Sequence, residues 1–345
     1  MTEIQAVRWH NETLILLDQT LLPSQEVDFV ADSVDKVVDA VERLVVRGAP
    51  ALGAVGGFGV VVAMDEAIRS GWTPDQTQVQ IQRIRDARPT AVNLAWGVDR
   101  VRPLVGQGRD AVLAESLQIA LEDESANKEL SRLGADWILE RTGRSPLRVL
   151  THCNTGALAT TAWGTALGVI RELHDRGALE LVYADETRPL LQGARLTAWE
   201  LEREGINYLV QADGAAASTV LRGLVDFAII GADRIARNGD SANKIGSVGV
   251  ALACHAAGIP FMVAAPSSTV DLNTLTGEEI EIELRDGSEV TEIAGVKIAP
   301  DGARGYNPAF DVTPAKYISA IVTEKCVVEP HRTSDVSALV NGGNS

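Results

Sequence analysis

Apolar positions in the first 140 or so residues recur at helical spacing, and from Leu147 onward they gather into short continuous runs. Val34, Val37, Val38, Val41, Leu44 and Val45 form one face of a helix, with Asp32-Ser33 placed to cap it. Pro50 suits the first position of a glycine-rich helix that follows. The pattern predicts further helices over 75–86, from Leu94, and over 110–141. Before them, residues 7–9 and 13–18 read as a small antiparallel hairpin. The later runs, 149–151, 181–183, 208–210, 227–230 and 261–264, alternate with helical segments, which indicates a parallel sheet covered on both faces. A last strand is expected at Val327-Val328. The fold class expected is α/β, with a smaller, mostly helical N-terminal domain bearing a β-ribbon over 1–143. A parallel-sheet domain over 144–335 and a loose tail over 336–345 follow. The boundary is placed at Gly143-Arg144-Ser145-Pro146, where turn residues precede the change of rhythm.

In an open α/β sheet, ligands bind in the crevice beyond the carboxyl ends of the strands, so the residues that follow each run decide the chemistry. The first run ends in His152-Cys153-Asn154-Thr155-Gly156-Ala157. A cysteine there, ahead of an expected Gly-Ala-rich helix start, is placed to react, although free cysteines are most often simply buried. The second run ends in Asp185-Glu186-Thr187-Arg188-Pro189-Leu190-Leu191-Gln192, the third in Gln211-Ala212-Asp213-Gly214, a turn with less chemistry. The fourth ends in Gly231-Ala232-Asp233-Arg234, where the apolar lead-in predicts a low-polarity setting suited to proton donation. Asn243-Lys244 then precedes a helix start that could bind an anion. Arg47, before the Pro50 helix, makes a second candidate phosphate cradle. The fifth run ends in a hydroxyl cluster, Ser267-Ser268-Thr269, so a solvated-loop reading would have to hold separately at each of four polar strand ends, and the functional reading is preferred.

Composition narrows the classes. The formal net charge is −16, from 31 basic and 47 acidic residues, so no nucleic acid and no anionic membrane surface is expected as a partner. A small phosphorylated ligand needs only a few local donors. The uncharged, apolar stretch over residues 48–64 carries five glycines and fits a tightly packed internal helix better than a membrane span. The N-terminus shows no secretory pattern. Three scattered cysteines, Cys153, Cys254 and Cys326, point to the cytoplasm. No Gly-x-Gly-x-x-Gly follows the first parallel strand and no phosphate-binding Gly-Lys-Ser/Thr loop is present, which disfavours nicotinamide dehydrogenases and P-loop NTPases. No His/carboxylate set has metal spacing, and no metal is expected.

With these residues together, the sequence resembles the aldose–ketose isomerases that act on 5-methylthioribose 1-phosphate, within the initiation-factor-2B-like superfamily. The landmarks are Arg47-Gly48-Ala49-Pro50, Ala87-Arg88-Pro89-Thr90-Ala91-Val92-Asn93, Thr151-His152-Cys153-Asn154-Thr155-Gly156, Gly231-Ala232-Asp233-Arg234-Ile235, Asn243-Lys244-Ile245-Gly246 and Asn307-Pro308-Ala309-Phe310-Asp311. The resemblance implies a Rossmann-like C-terminal domain, catalytic Cys153 and Asp233, and substrate contacts at Arg47, Gly48, Ala49, Arg88, Gln192, Asn243 and Lys244. It also implies no cofactor and a homodimer. Related isomerases of 5-deoxyribose 1-phosphate or ribose 1,5-bisphosphate share the two catalytic residues. Non-catalytic regulatory subunits of the translation-initiation exchange factor share the fold. One departure is Gly246-Ser247-Val248-Gly249, where many relatives carry a Gly-Thr-Tyr-Gly-like segment.

Overall fold

The computed structural model describes residues 4–89 and 92–343 of the 345. Thr90 and Ala91 of the Arg88 landmark, the first three residues, and Asn344-Ser345 of the expected tail lie outside the described residues. The chain divides into two compact units, Met1–Asn127 with Gly156–Gly164, and Lys128–Thr155 with Thr165–Ser345.

The first unit opens with an antiparallel sheet of β1 (Val7–His10), β2 (Thr13–Leu17) and β3 (Asp28–Ala31). The hairpin is the expected one, and β3 adds a strand that the pattern did not signal. Helices α1 (Val34–Glu42), α2 (Ala49–Ser70), α3 (Pro74–Asp86) and α4 (Val92–Val101) follow, then the start of α5 (Arg109–Thr142). Ser33 caps α1 by accepting from the Lys36 N–H, the arrangement that favours serine there. Helix α2 is long and apolar enough to cross a membrane by length and composition alone, but most of it is buried within the protein. Its glycines explain why. A Cβ at Gly97 of α4 would stand 1.9 Å from the Gly53 carbonyl oxygen, and one at Gly56 would stand 2.4 Å from that of Leu94. The two helices cross almost backbone to backbone, which only glycine permits.

In the second unit, a seven-stranded sheet has the order β16-β15-β10-β7-β4-β5-β6. Its strands are β4 (Leu147–Thr151), β5 (Leu179–Asp185), β6 (Tyr208–Gln211), β7 (Phe227–Ile230), β10 (Phe261–Ala264), β15 (Ala320–Val322) and β16 (Val327–Val328). All neighbours are parallel except β15 and β16. Successive residues serve opposite faces. Phe227, Ile229 and Met262 join a core cluster with Leu130, Ile138 and Leu167, while Ala228, Ile230 and Val263 join a second with Val220, Val250 and Leu339. Both faces are therefore covered, by α5, α6 (Ala166–Asp175) and α7 (Ala198–Arg203) on one side. Helices α8 (Ala216–Leu221) and α9 (Ser247–Ala257) lie on the other. A four-stranded accessory sheet joins β8 (Arg234–Ala236), β9 (Ser241–Lys244), β11 (Val270–Asp271) and β14 (Phe310–Thr313), and a two-residue ribbon pairs β12 (Glu292–Ile293) with β13 (Val296–Lys297) after the short α10 (Ser288–Thr291).

Three expectations change. The division between units falls inside α5, not at 143–146, because Leu130, Ala135 and Ile138 are buried in the sheet's core. The segment from 336 is not loose: Val336 and Leu339 are fully buried, and α11 (Ala338–Asn341) closes over the second cluster. No helix starts directly after Cys153; Gly156–Gly164 is irregular, belongs with the first unit, and α6 begins only at Ala166.

The α2–α4 crossing gives a direct test. Gly97→Ala is expected to lower unfolding stability by about 1–3 kcal/mol, the usual range for overpacking a filled contact, as read from urea denaturation. Gly106→Ala, where an added Cβ meets nothing within 4 Å, is the control and should leave the midpoint in place.

Candidate active site

The strand order reverses between β4 and β7: β5 and β6 build outward from one side of β4, while β7, β10 and β15 build outward from the other. That is the switch point where doubly wound sheets open a ligand crevice. Thr151 of β4 lies beside Ile229 of β7 in the parallel register. Cys153 follows the first of these strands and Asp233 the second, so the two sequence candidates sit at the ends of the two strands that flank the reversal.

Cys153 is buried and its backbone is left-handed, with φ 64°, uncommon for a residue with a side chain. The segment 185–197 holds it there. The Cys153 N–H donates to Thr187 Oγ1 at 2.8 Å, and the Cys153 carbonyl accepts from Thr197 Oγ1 at 2.6 Å. Thr187 is itself left-handed at φ 65°, and its own N–H donates to Asp213 Oδ1. Gly193 opens a π-helical turn, Gly193–Thr197, whose start packs on the strand end: a Cβ there would stand 1.7 Å from the Asp185 carbonyl oxygen. Neither threonine was a sequence candidate. A β-branched residue forced to positive φ is visible only in the backbone, so no motif announced it.

Beneath the cysteine lies a buried pair. His152 Nδ1 is 3.0 Å from Asp185 Oδ2, and Nε2 is 2.8 Å from the Ile245 carbonyl oxygen. Both ring nitrogens face acceptors, so only the doubly protonated imidazolium donates to both. Burial alone would push the ring down, but the Asp185 carboxylate overrides it and carries His152 up to about 9. Asp185 is raised by its own burial, with His152 and Gln211 pulling it back. Gln211 Nε2 donates to Asp185 Oδ1 and its Oε1 accepts from Thr219. The third strand end, read as poor in chemistry, thus supplies the brace through Gln211 and Asp213. His152, Asp185 and Asp213 have ligand atoms within 4.8 Å of one another. Those atoms are engaged, however: Asp213 accepts the Thr187 and Arg188 N–H groups, so the cluster works as a hydrogen-bonded brace.

The remaining candidates of this unit fall as follows. Gln192 is buried at the π-turn, and its Oε1 has no hydrogen-bond partner among the described residues, an uncommon state for a buried polar atom. Asn243 Nδ2 donates to Ser247 Oγ, which donates to the Lys244 carbonyl. The departing Gly246-Ser247-Val248-Gly249 segment therefore keeps a hydroxyl where it fixes both candidates. Lys244 is buried, donates to the Ala309 carbonyl at 3.0 Å and lies 4.9 Å from the Phe310 ring centroid. Two expectations are corrected. The start of α9 is not an open anion site, because Asp311 already accepts from the Gly246 and Val248 N–H groups. Asp233 is exposed, not enclosed in apolar surroundings, because the chain leaves the core at Gly231-Ala232 to enter the accessory sheet, where the Asp233 N–H pairs with the Ala242 carbonyl.

The first unit holds Arg47, Gly48, Ala49 and Arg88. Gly48 has φ 96°, and a Cβ there would stand 2.1 Å from the Ala159 carbonyl oxygen. It forms the N-cap of α2 with no side-chain cap, and the Ala51 N–H of that helix start donates to the Ala159 carbonyl.

A family model described as the Initiation factor 2 subunit family matches residues 45–330. The methylthioribose-1-phosphate isomerase of Marinobacter nauticus is 47% identical, covering 97% of this chain and 96% of its own. That of Pseudomonas aeruginosa PAO1 is 46% identical, covering 98% and 96%. A probable bifunctional methylthioribose-1-phosphate isomerase/methylthioribulose-1-phosphate dehydratase of Nocardia farcinica is 49% identical over 94% of this chain, which spans only 59% of that protein's length. Among solved structures, 5-methylthioribose 1-phosphate isomerase from Pyrococcus horikoshii OT3 aligns with TM-score 0.86 and 39% identity, covering 95% of this chain and 94% of its own. Translation initiation factor eIF-2B, subunit delta, from A. fulgidus aligns with TM-score 0.87 and 36% identity, covering 98% and 99%.

The His152–Asp185 pair predicts a pH dependence. A raised folded value means that the stabilisation is full below about 6.5, the unfolded value, and is lost as pH rises through about 9. The stability gap between the wild type and His152→Gln, measured by urea unfolding, should therefore narrow by about 3 kcal/mol between pH 6 and pH 10. A gap that does not change with pH would show that the ring carries no extra proton.

Proposed function

The chain belongs to the Initiation factor 2 subunit family, and from that premise we propose that it is an aldose–ketose isomerase converting 5-methylthioribose 1-phosphate to 5-methylthioribulose 1-phosphate in methionine salvage, as a cytoplasmic homodimer. The observation that carries the reading is the placement of a thiol and a carboxylate at the two strand ends that flank the switch point, at Cys153 and Asp233. Near-full-length identity of 46–47% to proteins named methylthioribose-1-phosphate isomerase supports the substrate.

The chemistry asks for two such groups. A phosphate on the anomeric oxygen locks the sugar as a ring and withholds the free aldehyde. Asp233, as acid, gives its proton to the ring oxygen as the bond from C1 to that oxygen breaks. C2 is then oxidised as C1 is reduced, within one molecule, so the electrons balance without a further reactant. In one route Cys153 takes the C2 proton and the electron pair forms the C1–C2 double bond; the Cys153 thiol then returns a proton to C1 as the C2 hydroxyl gives its proton to the Asp233 carboxylate and the C2 carbonyl forms. In the other, hydride passes from C2 to C1 while Cys153 stabilises the transition state. Arg47, Gly48, Ala49, Arg88, Asn243 and Lys244 are assigned to the phosphosugar, and the unsatisfied Gln192 oxygen to one of its hydroxyls. Turnover in heavy water bears on the routes: deuterium at C1 of the ketose identifies proton removal, whereas clean retention of a C2 label counts against proton exchange with solvent and favours hydride transfer.

Cys153→Ala and Asp233→Asn are each expected to abolish turnover while phosphosugar binding stays measurable by calorimetry. Near-normal activity in either variant would overturn the assignment and favour a non-catalytic regulatory subunit, the role that the shared fold of the A. fulgidus initiation-factor subunit keeps in view. In a coupled assay, 5-methylthioribose 1-phosphate should give the highest kcat/KM. A higher value with 5-deoxyribose 1-phosphate or ribose 1,5-bisphosphate would reassign the substrate and leave the reaction type intact.

A further inference from the structure

The sheet has a second end. At the amino ends of β4, β7, β10 and β15, away from the strand ends that carry Cys153 and Asp233, the second unit has an open, solvent-facing cavity of about 690 Å³. Arg148 stands at the start of β4, Asp226 just before β7, Pro260 just before β10 and Ser319 just before β15. The volume lies within the range of small-molecule pockets.

Its charge runs against the rest of the molecule. In a chain of net charge −16, this lining brings together Arg141, Arg144, Arg148 and Lys316 with a single carboxylate, Asp226. That carboxylate is fully used. Oδ1 accepts from Arg144 and Arg148, both at 2.9 Å, while Oδ2 accepts from the backbone N–H and Nε of Arg148 at 2.8 and 3.1 Å. Two guanidinium groups therefore share one negative charge, and Asp226 fixes the Arg148 fork in place. The Arg141 side chain makes no ion pair or hydrogen bond among the described residues. The Lys316 ammonium lies 4.9 Å from the Tyr317 ring centroid, with no carboxylate beside it.

Arg141 stands in the last turn of α5, where a helix end favours a cation, but a helix end supplies only about half a charge. Four cations and one carboxylate on the lining leave an excess of three positive charges. Guanidinium forks match phosphate oxygens bidentately, and Ile259, Pro260 and the Tyr317 ring add an apolar wall that a bare ion would not need.

We propose that this amino-end cavity is a second binding site, distinct from the isomerase site, for a small organic phosphate carrying more than one negative charge. The inference does not depend on the isomerase reading, since it rests on residues that take no part in it.

The test is calorimetry on the full chain with pyrophosphate and fructose 1,6-bisphosphate as probes and citrate as the carboxylate comparison. Arg141→Gln/Lys316→Gln removes two cations and no hydrogen bond among the described residues, so its thermal unfolding should match the wild type. It should bind both phosphate probes at least about tenfold more weakly, the loss expected for charge-assisted contacts, while its isomerase activity without probe is unchanged. Lys244→Gln, altered at the candidate active site, should bind pyrophosphate as the wild type does. The proposal is overturned if the wild type shows no binding of either probe at millimolar concentration. It is equally overturned if binding survives in Arg141→Gln/Lys316→Gln but is lost in Lys244→Gln, which would place the anion at the other end of the sheet. Citrate binding as tightly as pyrophosphate would overturn the assignment to phosphate.

Discussion

The buried contact between His152 and Asp185 is the constraint on which the rest of the site depends. Thr151 and Ala184 are partners in the parallel register of β4 and β5, so the next residue of each strand is delivered to the same point, and there an imidazole meets a carboxylate. Both side chains are almost wholly inaccessible. A lone charge at that depth would cost several kcal/mol, and a pair survives only when its remaining hydrogen-bonding positions are filled. They are filled here: the ring's far nitrogen by the Ile245 carbonyl, the far carboxylate oxygen by Gln211. Satisfying one pair thus fixes four chain segments, the ends of β4, β5 and β6 and the turn before α9. Gly246 completes the fit, since a Cβ at its φ of 108° would stand 2.8 Å from the His152 ring.

What that frame holds is a strained residue. A left-handed backbone at a cysteine costs of order 1–3 kcal/mol and persists only when its surroundings over-determine it. The surroundings do so through two buried threonine hydroxyls, one taking the Cys153 N–H and one giving to its carbonyl. Both come from the segment that also presents Gln192. Cys153 and the unsatisfied amide oxygen are therefore set by the same few residues, and a change that shifts 187–197 moves them together. Rigid positioning of this kind is what converts binding into rate, because misplacement by about 1 Å costs roughly 100-fold.

The sequence pattern disclosed the fold class because its cause is local. A strand buried on both faces reads as an unbroken apolar run, and helices between such runs leave few topologies. The switch point could not be read, because it depends on which side of β4 each later strand joins. Cys153 and Asp233 were legible as strand-end chemistry, while the exposure of Asp233 was not. Its apolar lead-in belongs to β7, and the exit toward β8 is a tertiary event. The filled start of α9 escaped for a similar reason: Asp311 comes from a strand more than sixty residues later, and nothing near Gly246 advertises it. The supposed tail was misjudged because Val336 and Leu339 sit among polar and small residues, and two apolar side chains at helical spacing are enough to close a core.

A net acidic chain and a small anionic ligand are compatible for a reason of scale. At physiological ionic strength, exposed charges are screened beyond about 8 Å, so the −16 of the whole chain acts weakly on a small ligand once it has entered a crevice. There the local donors govern. A long polyanion meets the opposite balance, since it must lie across many acidic side chains to reach the same few donors. The charge distribution thus selects by size as well as sign. A phosphate group borne on a small molecule is favoured wherever cations locally outnumber carboxylates, whatever the sign of the net charge.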